Sequence, residues 1–297
     1  MFDRKALKAE ARLRMKESQP RYWKIMLIWV LAAVLVPNVV SFLGGSSLSE
    51  LYVMAMNGID VSMLMSMMGT SVLVAMFLSI VITLYQSVMN FGLTNYSLKL
   101  WRREACGGKS LFDGFAMVWR VIGTQLLVGI FVFLWALLFA IPLVLLVSLS
   151  MLLDSAGLGV FIMVLGYIAY IVVLVIISLN YSLAQLALAD QPELGVMGSI
   201  RRSKELMKGH RGDYFLLNLS FIGWALLSCI PVMVLATLST TGVLVLPEMV
   251  NTILLVVLML PMYVWLEPYM QVSYAGFYDA LCPKQPEAEP LNEYPEF

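Results

Sequence analysis

The sequence predicts an all-α, polytopic integral membrane protein with six transmembrane helices. Composition is the first reason: 61% of the 297 residues are hydrophobic and 13% charged, against roughly 45–50% and about 25% in soluble domains. Spacing is the second. Runs without a charged residue lie between Lys24 and Glu50 (25 residues), Asp60 and Lys99 (38), Arg120 and Asp154 (33), Asp154 and Asp190 (35), Asp213 and Glu248 (34), and Glu248 and Glu267 (18). A helix needs about 20 apolar residues to cross roughly 30 Å of hydrocarbon, so each run is long enough, the last only with Glu267 near the head groups. None alternates polar and apolar as barrel strands do. The third reason is the partition of charge. All 19 Lys and Arg lie before the first run, in the second and fourth connections, or in the tail, whereas the first, third and fifth connections hold only Glu50, Asp60, Asp154 and Glu248.

Taken in order, the spans fall near 23–43, 66–92, 119–147, 159–188, 214–238 and 250–272. They form one membrane domain over 1–282, followed by a tail at 283–297 whose Glu287, Glu289, Glu293 and Glu296 predict a disordered, solvated end. The positive-inside rule puts both termini in the cytoplasm. The first span reads as a retained anchor, because its apolar segment exceeds the usual 7–15 residues of a signal core, although Leu43-Gly44-Gly45-Ser46 is small enough for a peptidase. Sequons at Asn95, Asn180 and Asn218 fall in membrane or cytoplasmic positions, so none meets glycosylation. Cys106 and Cys282 face the reducing side and Cys229 lies within a span, which argues against structural disulfides.

Self-comparison adds a repeat. Asn95-Tyr96-Ser97-Leu98 at the end of the second span recurs as Asn180-Tyr181-Ser182-Leu183 near the end of the fourth, with an echo in Val272-Ser273-Tyr274-Ala275. Met15-Lys16, five residues, Tyr22-Trp23 precedes the first span; Met207-Lys208, five residues, Tyr214-Phe215 precedes the fifth. The middle unit offers Leu111-Phe112-Asp113-Gly114-Phe115 before Trp119-Arg120. This suggests three parallel two-helix repeats, each preceded by a cytoplasmic amphipathic helix. In the fourth connection Pro192 and Glu193 suit a first turn, Val196, Ile200, Ser203 and Met207 share a face, and Gly209 allows the left-handed turn that ends the helix. Near the N-terminus Phe2, Ala6, Ala9 and Leu13 form the corresponding apolar strip. Arg12, Arg14 and Lys16, and Arg201, Arg202, Lys204 and Lys208, are then the candidate contacts to anionic lipid or to a partner membrane protein. Setting topology explains the same charges equally well.

Chemistry is harder to find. His210 is the only histidine, and no Cys or second His stands at ligand spacing, so a zinc site and His-based catalysis have no candidates, and no cofactor and no enzymatic activity are expected. Gly107-Gly108-Lys109-Ser110 lacks the spacing and preceding strand of a phosphate loop. The balance of 19 basic and 19 acidic residues gives no field for nucleic acid. Met54, Met56, Met63, Met65, Met67 and Met68 have the thioethers that soft cuprous ion favours, but flexible apolar filling is the commoner use. Glu267, an acid within hydrophobic sequence, and Asn180 are the candidates if the chain is a small-solute transporter or permease working through the repeat interface. Gln86, Asn90, Gln125, Gln185, Asn218 and Gln271 could line such a passage or bond between helices.

Several segments carry a family resemblance. They are Ser199-Ile200-Arg201-Arg202-Ser203-Lys204-Glu205-Leu206-Met207-Lys208-Gly209, Asp213-Tyr214-Phe215, Leu219-Ser220-Phe221-Ile222-Gly223-Trp224, Trp265-Leu266-Glu267-Pro268-Tyr269 and Phe277-Tyr278. With Leu7-Lys8, Ala11 and Tyr22-Trp23, the chain resembles the bacterial membrane-protein family catalogued as domain of unknown function 975, most specifically from 199 to 278. More distantly it is similar to the membrane domain fused to some glycerophosphodiester phosphodiesterases, without their catalytic domain. The resemblance implies a multi-span protein of the cytoplasmic membrane, mainly of Gram-positive bacteria, and no agreed activity. Physically, Gly223 reads as a point of close helix approach, Pro268 as freeing a carbonyl one turn back, and Trp265 and Tyr269 as interface residues. The function expected is a non-enzymatic accessory or scaffolding role, with transport as the alternative.

Overall fold

The computed structural model describes residues 3–43, 70–151, 156–244 and 246–282. The Met-rich segment 54–68, residues 44–46, Phe2, Glu50, Asp60, Asp154, Lys284 and the acidic tail lie outside the described residues. Every regular element among those described is helical. An N-terminal helix α1 (Arg4–Glu17) is capped by Asp3, whose carboxylate accepts from the backbone N–H groups of Lys5 and Ala6 at 2.9 and 3.2 Å. Then come α2 (22–43), α3 (Thr70–Trp101), a 3₁₀ segment (Gly108–Met117), α4 (Val118–Met151), α5 (Ala156–Leu179) and α6 (Ala184–Asp190). After a 3₁₀ turn (Pro192–Leu194) follow α7 (Gly195–Leu206), α8 (Arg211–Thr240) and α9 (248–281). Among the described residues six helices are long and apolar enough to cross a membrane: Tyr22–Val40, Met76–Trp101, Gly108–Ser148, Gly159–Asp190, Arg211–Thr240 and Ile253–Leu281. The chain therefore runs amphipathic element, outgoing helix, returning helix three times, with the loosest sequence echo supplying the 3₁₀ segment.

Two boundaries move from the hydropathy reading. α3 continues to Trp101 rather than stopping near 92, and α9 to Leu281 rather than 272. Those extra turns are buried against one another, so they need not be uniformly apolar to remain helical. The fourth span is interrupted instead of continuous. The side-chain amide of Asn180 donates to the carbonyls of Ile176 and Ile177 at 3.1 and 3.2 Å, ending α5. Ser203 of α7 stitches the break: its hydroxyl donates to the Asn180 carbonyl at 2.8 Å and accepts from the Leu183 N–H at 3.2 Å. Both ends of the gap are thus satisfied by one side chain from a neighbouring helix.

α2 and α9 each contain a π-helical turn, Leu31–Leu35 and Met262–Leu266. Each lies just ahead of a proline, Pro37 and Pro268. A proline donates no N–H and crowds the carbonyl four residues back, here Ala33 and Val264, and a widened turn absorbs both effects. This is the local consequence expected of Pro268. Trp265 is exposed, as an interface residue would be, but Tyr269 is almost fully buried in the core.

Burial is concentrated at one end of the bundle. The principal core joins Leu7, Ala11 and Met15 of α1 to Met89–Trp101, Leu183–Ala187, Leu206–Phe221 and Leu266–Tyr278, all near the helix ends that carry the basic residues. Toward the other end α4 and α5 pack mainly on each other, and the most apolar stretches of both have none of their residues buried. The molecule is a tightly packed base from which apolar helices project.

That base corrects the amphipathic readings. α1 buries Leu7, Ala11 and Met15, whereas Ala6, Ala9 and Leu13 lie on the outward side, so the docked strip is opposite to the expected one. The expected face of α7 is the right one, with Ile200, Ser203 and Met207 buried, but it is seated on α4 and α6 rather than on a lipid leaflet. α7 begins at Gly195 (φ +64) after the turn that holds Pro192 and Glu193, and Gly209 (φ +84) ends it in the left-handed region as expected.

Close approach falls on other glycines than Gly223, where a Cβ would meet nothing within 4 Å. A Cβ on Gly92 would come within 1.8 Å of the Leu111 carbonyl oxygen, and one on Gly276 within 2.6 Å of the Trp101 ring. Gly92 lets the 3₁₀ segment lie across α3. Asn95 and Lys99 then hold that segment, donating to the Asp113 carboxylate at 2.9 and 2.7 Å.

Candidate functional site

Two layers of polar residues meet where the base joins the projecting helices. The layer nearer the basic end is ionic. The Arg102 guanidinium, just past the end of α3, donates to Asp279 of α9 at 2.8 Å and to Asp190 at the end of α6. The Tyr278 hydroxyl donates to the second oxygen of Asp190 at 2.9 Å. One cation so ties together the ends of all three returning helices. Burial acts to lower the Arg102 pKa, but the two carboxylates outweigh it and raise it, so the guanidinium stays charged.

One to two turns further in lies a cavity of about 290 Å³ between α3, α4, α6, α8 and α9. Three glutamines line it, Gln125, Gln185 and Gln271, together with Thr94, Thr124 and Ser182. Tyr181, Tyr214 and Tyr274 close its sides. Gln185 donates to Gln125 across the cavity, and the Tyr274 hydroxyl donates to Asn218 at 2.7 Å. No Asp, Glu, Lys, Arg or His is among the lining residues. The recurring segments explain its location: Thr94 precedes the first Asn-Tyr-Ser copy, Tyr181 and Ser182 belong to the second, and Tyr274 to the echo Val272-Ser273-Tyr274-Ala275. The cavity forms where the three units meet.

The residues expected from sequence distribute as follows. Of the candidate polar lining, Gln125, Gln185 and Gln271 are in the cavity and Asn218 touches it through Tyr274. Asn180 spends its amide on its own helix end. Glu267 follows the π turn of α9 at the boundary of the base and accepts from Gln271 at 3.0 Å, one residue removed from the cavity. Arg14 pairs with Glu10 at 2.6 Å and lies over the Trp101 ring. Arg12 sits over the Tyr269 ring, with its centroid 5.1 Å away. Lys204 sits over Tyr181 and Phe131 at 4.9 and 5.3 Å. Lys16, Arg201 and Lys208 are exposed, and Arg202 is half-buried. Among the described residues Arg12, Lys16, Arg201 and Lys208 make no ion pair with an acid.

Arg102, Asp190, Asp279 and Tyr278 were not identified from sequence. A signal was present: two of the three returning spans close on an aspartate and the third on an arginine.

Six long apolar helices, all basic connections at one end and a packed base there describe a multi-pass α-helical membrane protein. More particularly, the chain belongs to the family described as protein of unknown function, DUF975, whose family model matches residues 1–285. No curated protein and no solved structure matches the chain.

Proposed function

We propose that this is a non-enzymatic accessory protein of the bacterial cytoplasmic membrane, with both termini in the cytoplasm, whose cationic base engages anionic lipid headgroups. The observation that supports it is the surplus of exposed cations on a packed base. Arg12, Lys16, Arg201 and Lys208 have no acidic partner among the described residues, and each cation near an anionic surface is worth about 1 kcal/mol. Because α1 and α7 seat their apolar faces on protein, the charges are presented by a fixed scaffold and not by helices floating on the leaflet. The test uses the full chain in nanodiscs of phosphatidylcholine with spin-labelled phosphatidylglycerol. Changing the four residues to Gln should reduce the preference for phosphatidylglycerol and flatten its dependence on salt. An unchanged preference and salt response would defeat the proposal.

The cavity favours a second reading, passage of a small polar solute through the interface of the three units. Proteoliposome flux that is lost in Glu267→Gln but kept in Asn180→Ala would support it, since only Glu267 reaches a cavity side chain. Flux indifferent to Glu267 would count against it.

A further inference from the structure

We propose that the polar cavity and an apolar groove beside it form one binding site for a membrane lipid with an uncharged, hydroxyl-bearing headgroup. This goes beyond the cationic rim, since it concerns another surface and another class of lipid, and the two proposals stand or fall separately.

The groove, about 470 Å³, runs between α3 and α4 and is lined chiefly by Leu84, Ile122, Leu126, Ile130 and Phe133. It shares Gln125 with the cavity. Residue numbers fix its direction. The cavity touches α3 at Thr94 and α4 at Thr124 and Gln125, whereas the groove reaches Thr83 on α3 and Phe133 on α4. It leads away from the base, toward the most apolar part of the bundle. A polar chamber at the base that opens beside an apolar channel pointing into the hydrocarbon matches an amphiphile better than a free solute.

The headgroup follows from the lining. Three amides and several hydroxyls supply donors and acceptors in both senses, which suits hydroxyl groups. An anionic phosphate would find no cation in the lining and would sit beside Glu267, which stands behind Gln271. Lys204 is held over the aromatic rings of Tyr181 and Phe131.

The experiment places the full-length protein in phosphatidylcholine nanodiscs doped with either monoglucosyl-diacylglycerol or phosphatidylglycerol, each with a diazirine in one acyl chain. Crosslinks are mapped by peptide mass spectrometry. The glucolipid should label the stretches 83–87 and 122–133 about five- to ten-fold more than phosphatidylglycerol does, the weight of one or two hydrogen bonds. Gly129→Leu fills the groove where a Cβ would meet nothing within 4 Å, so it should fold and abolish that labelling. Gln185→Leu should bring the glucolipid excess down to parity while leaving tail labelling in place. Equal labelling by both lipids in the unmodified chain, preference for phosphatidylglycerol there, or indifference to Gly129→Leu would each overturn the site. So would competition by free glucose as effective as that by unlabelled glucolipid, which would instead support the solute reading.

Discussion

Arg102 ties the ends of three helices together, because it is one donor fork shared by two carboxylates on different helices. Its side chain is partly screened by solvent, so the full cost of orphaning a buried pair does not apply. Arg102→Met should still cost about 2 kcal/mol, leaving Asp190 and Asp279 facing each other without a cation. The two acids are not equivalent. Asp190 is 13% exposed and also accepts from Tyr278, whereas Asp279 is 37% exposed. Thermal unfolding in one detergent should therefore rank Asp190→Asn below Asp279→Asn in stability, and the reverse order would contradict the role assigned to the hub. The thiols give a second test at this scale. Burial raises the pKa of Cys106, with Lys99 opposing it and Glu104 adding to it. Burial also raises that of Cys282, against the Tyr278 hydrogen bond, with Asp190 reinforcing it and Arg202 and Arg102 opposing. The folded protein then holds these protons above the pH at which unfolded thiols release them. Stability is unaffected below the ordinary thiol value of 9.0 and falls as pH rises past it. Iodoacetamide should accordingly react slowly with both at pH 8, and Cys→Ser variants should flatten the alkaline loss of stability.

At the scale of elements, close packing is set by a few small residues whose importance only the neighbour reveals. Gly92→Ala should destabilise by about 3 kcal/mol or more, since the clash is with backbone and cannot be relieved by a rotamer. Gly223→Ala should be near neutral, because space is open there. Both are glycines in long apolar helices, and nothing local distinguishes them; the difference is that the 3₁₀ segment returns across α3 at Gly92. α1 makes the same point. Its sequence offers two apolar strips, Ala6-Ala9-Leu13 and Leu7-Ala11-Met15, on opposite sides, and only the base selects the second. Ala11→Asp should cost about 3 kcal/mol by placing an unpaired carboxylate where Ala11 has no exposure. Protease release of α1 in detergent would report it, and undiminished protection would mean that the helix is not seated as described.

For the whole molecule, the asymmetry between a packed base and projecting helices follows from the two solvents. Lipid is as apolar as leucine, so helices within it gain little by burying leucine on one another, whereas helix ends in water gain the full hydrophobic term. The base should then lie at the membrane surface that bears the basic connections. In a chain with Cys106, Cys229 and Cys282 replaced by Ser, a membrane-impermeant maleimide added to intact cells should label Thr241→Cys and reach Lys208→Cys only after permeabilisation. The opposite pattern would invert the proposed topology.

Length of apolar runs, the one-sided placement of 19 cations and the family segments were enough to give six helices, their order and the family, because each is a property of residues close together in the chain. Even the recurring Asn-Tyr-Ser segments pointed to units whose meeting place holds the cavity. What they touch was another matter. That Ser203 bonds to Asn180, that Gln125 meets Gln185, and that Arg102 reaches Asp190 and Asp279 depend on contacts spanning 23 to 177 residues of sequence. Hydropathy cannot assign such contacts, since a buried face and a lipid-facing one are equally apolar. Only the tertiary structure separates them, by showing which faces are covered by protein and which polar groups are left to find each other.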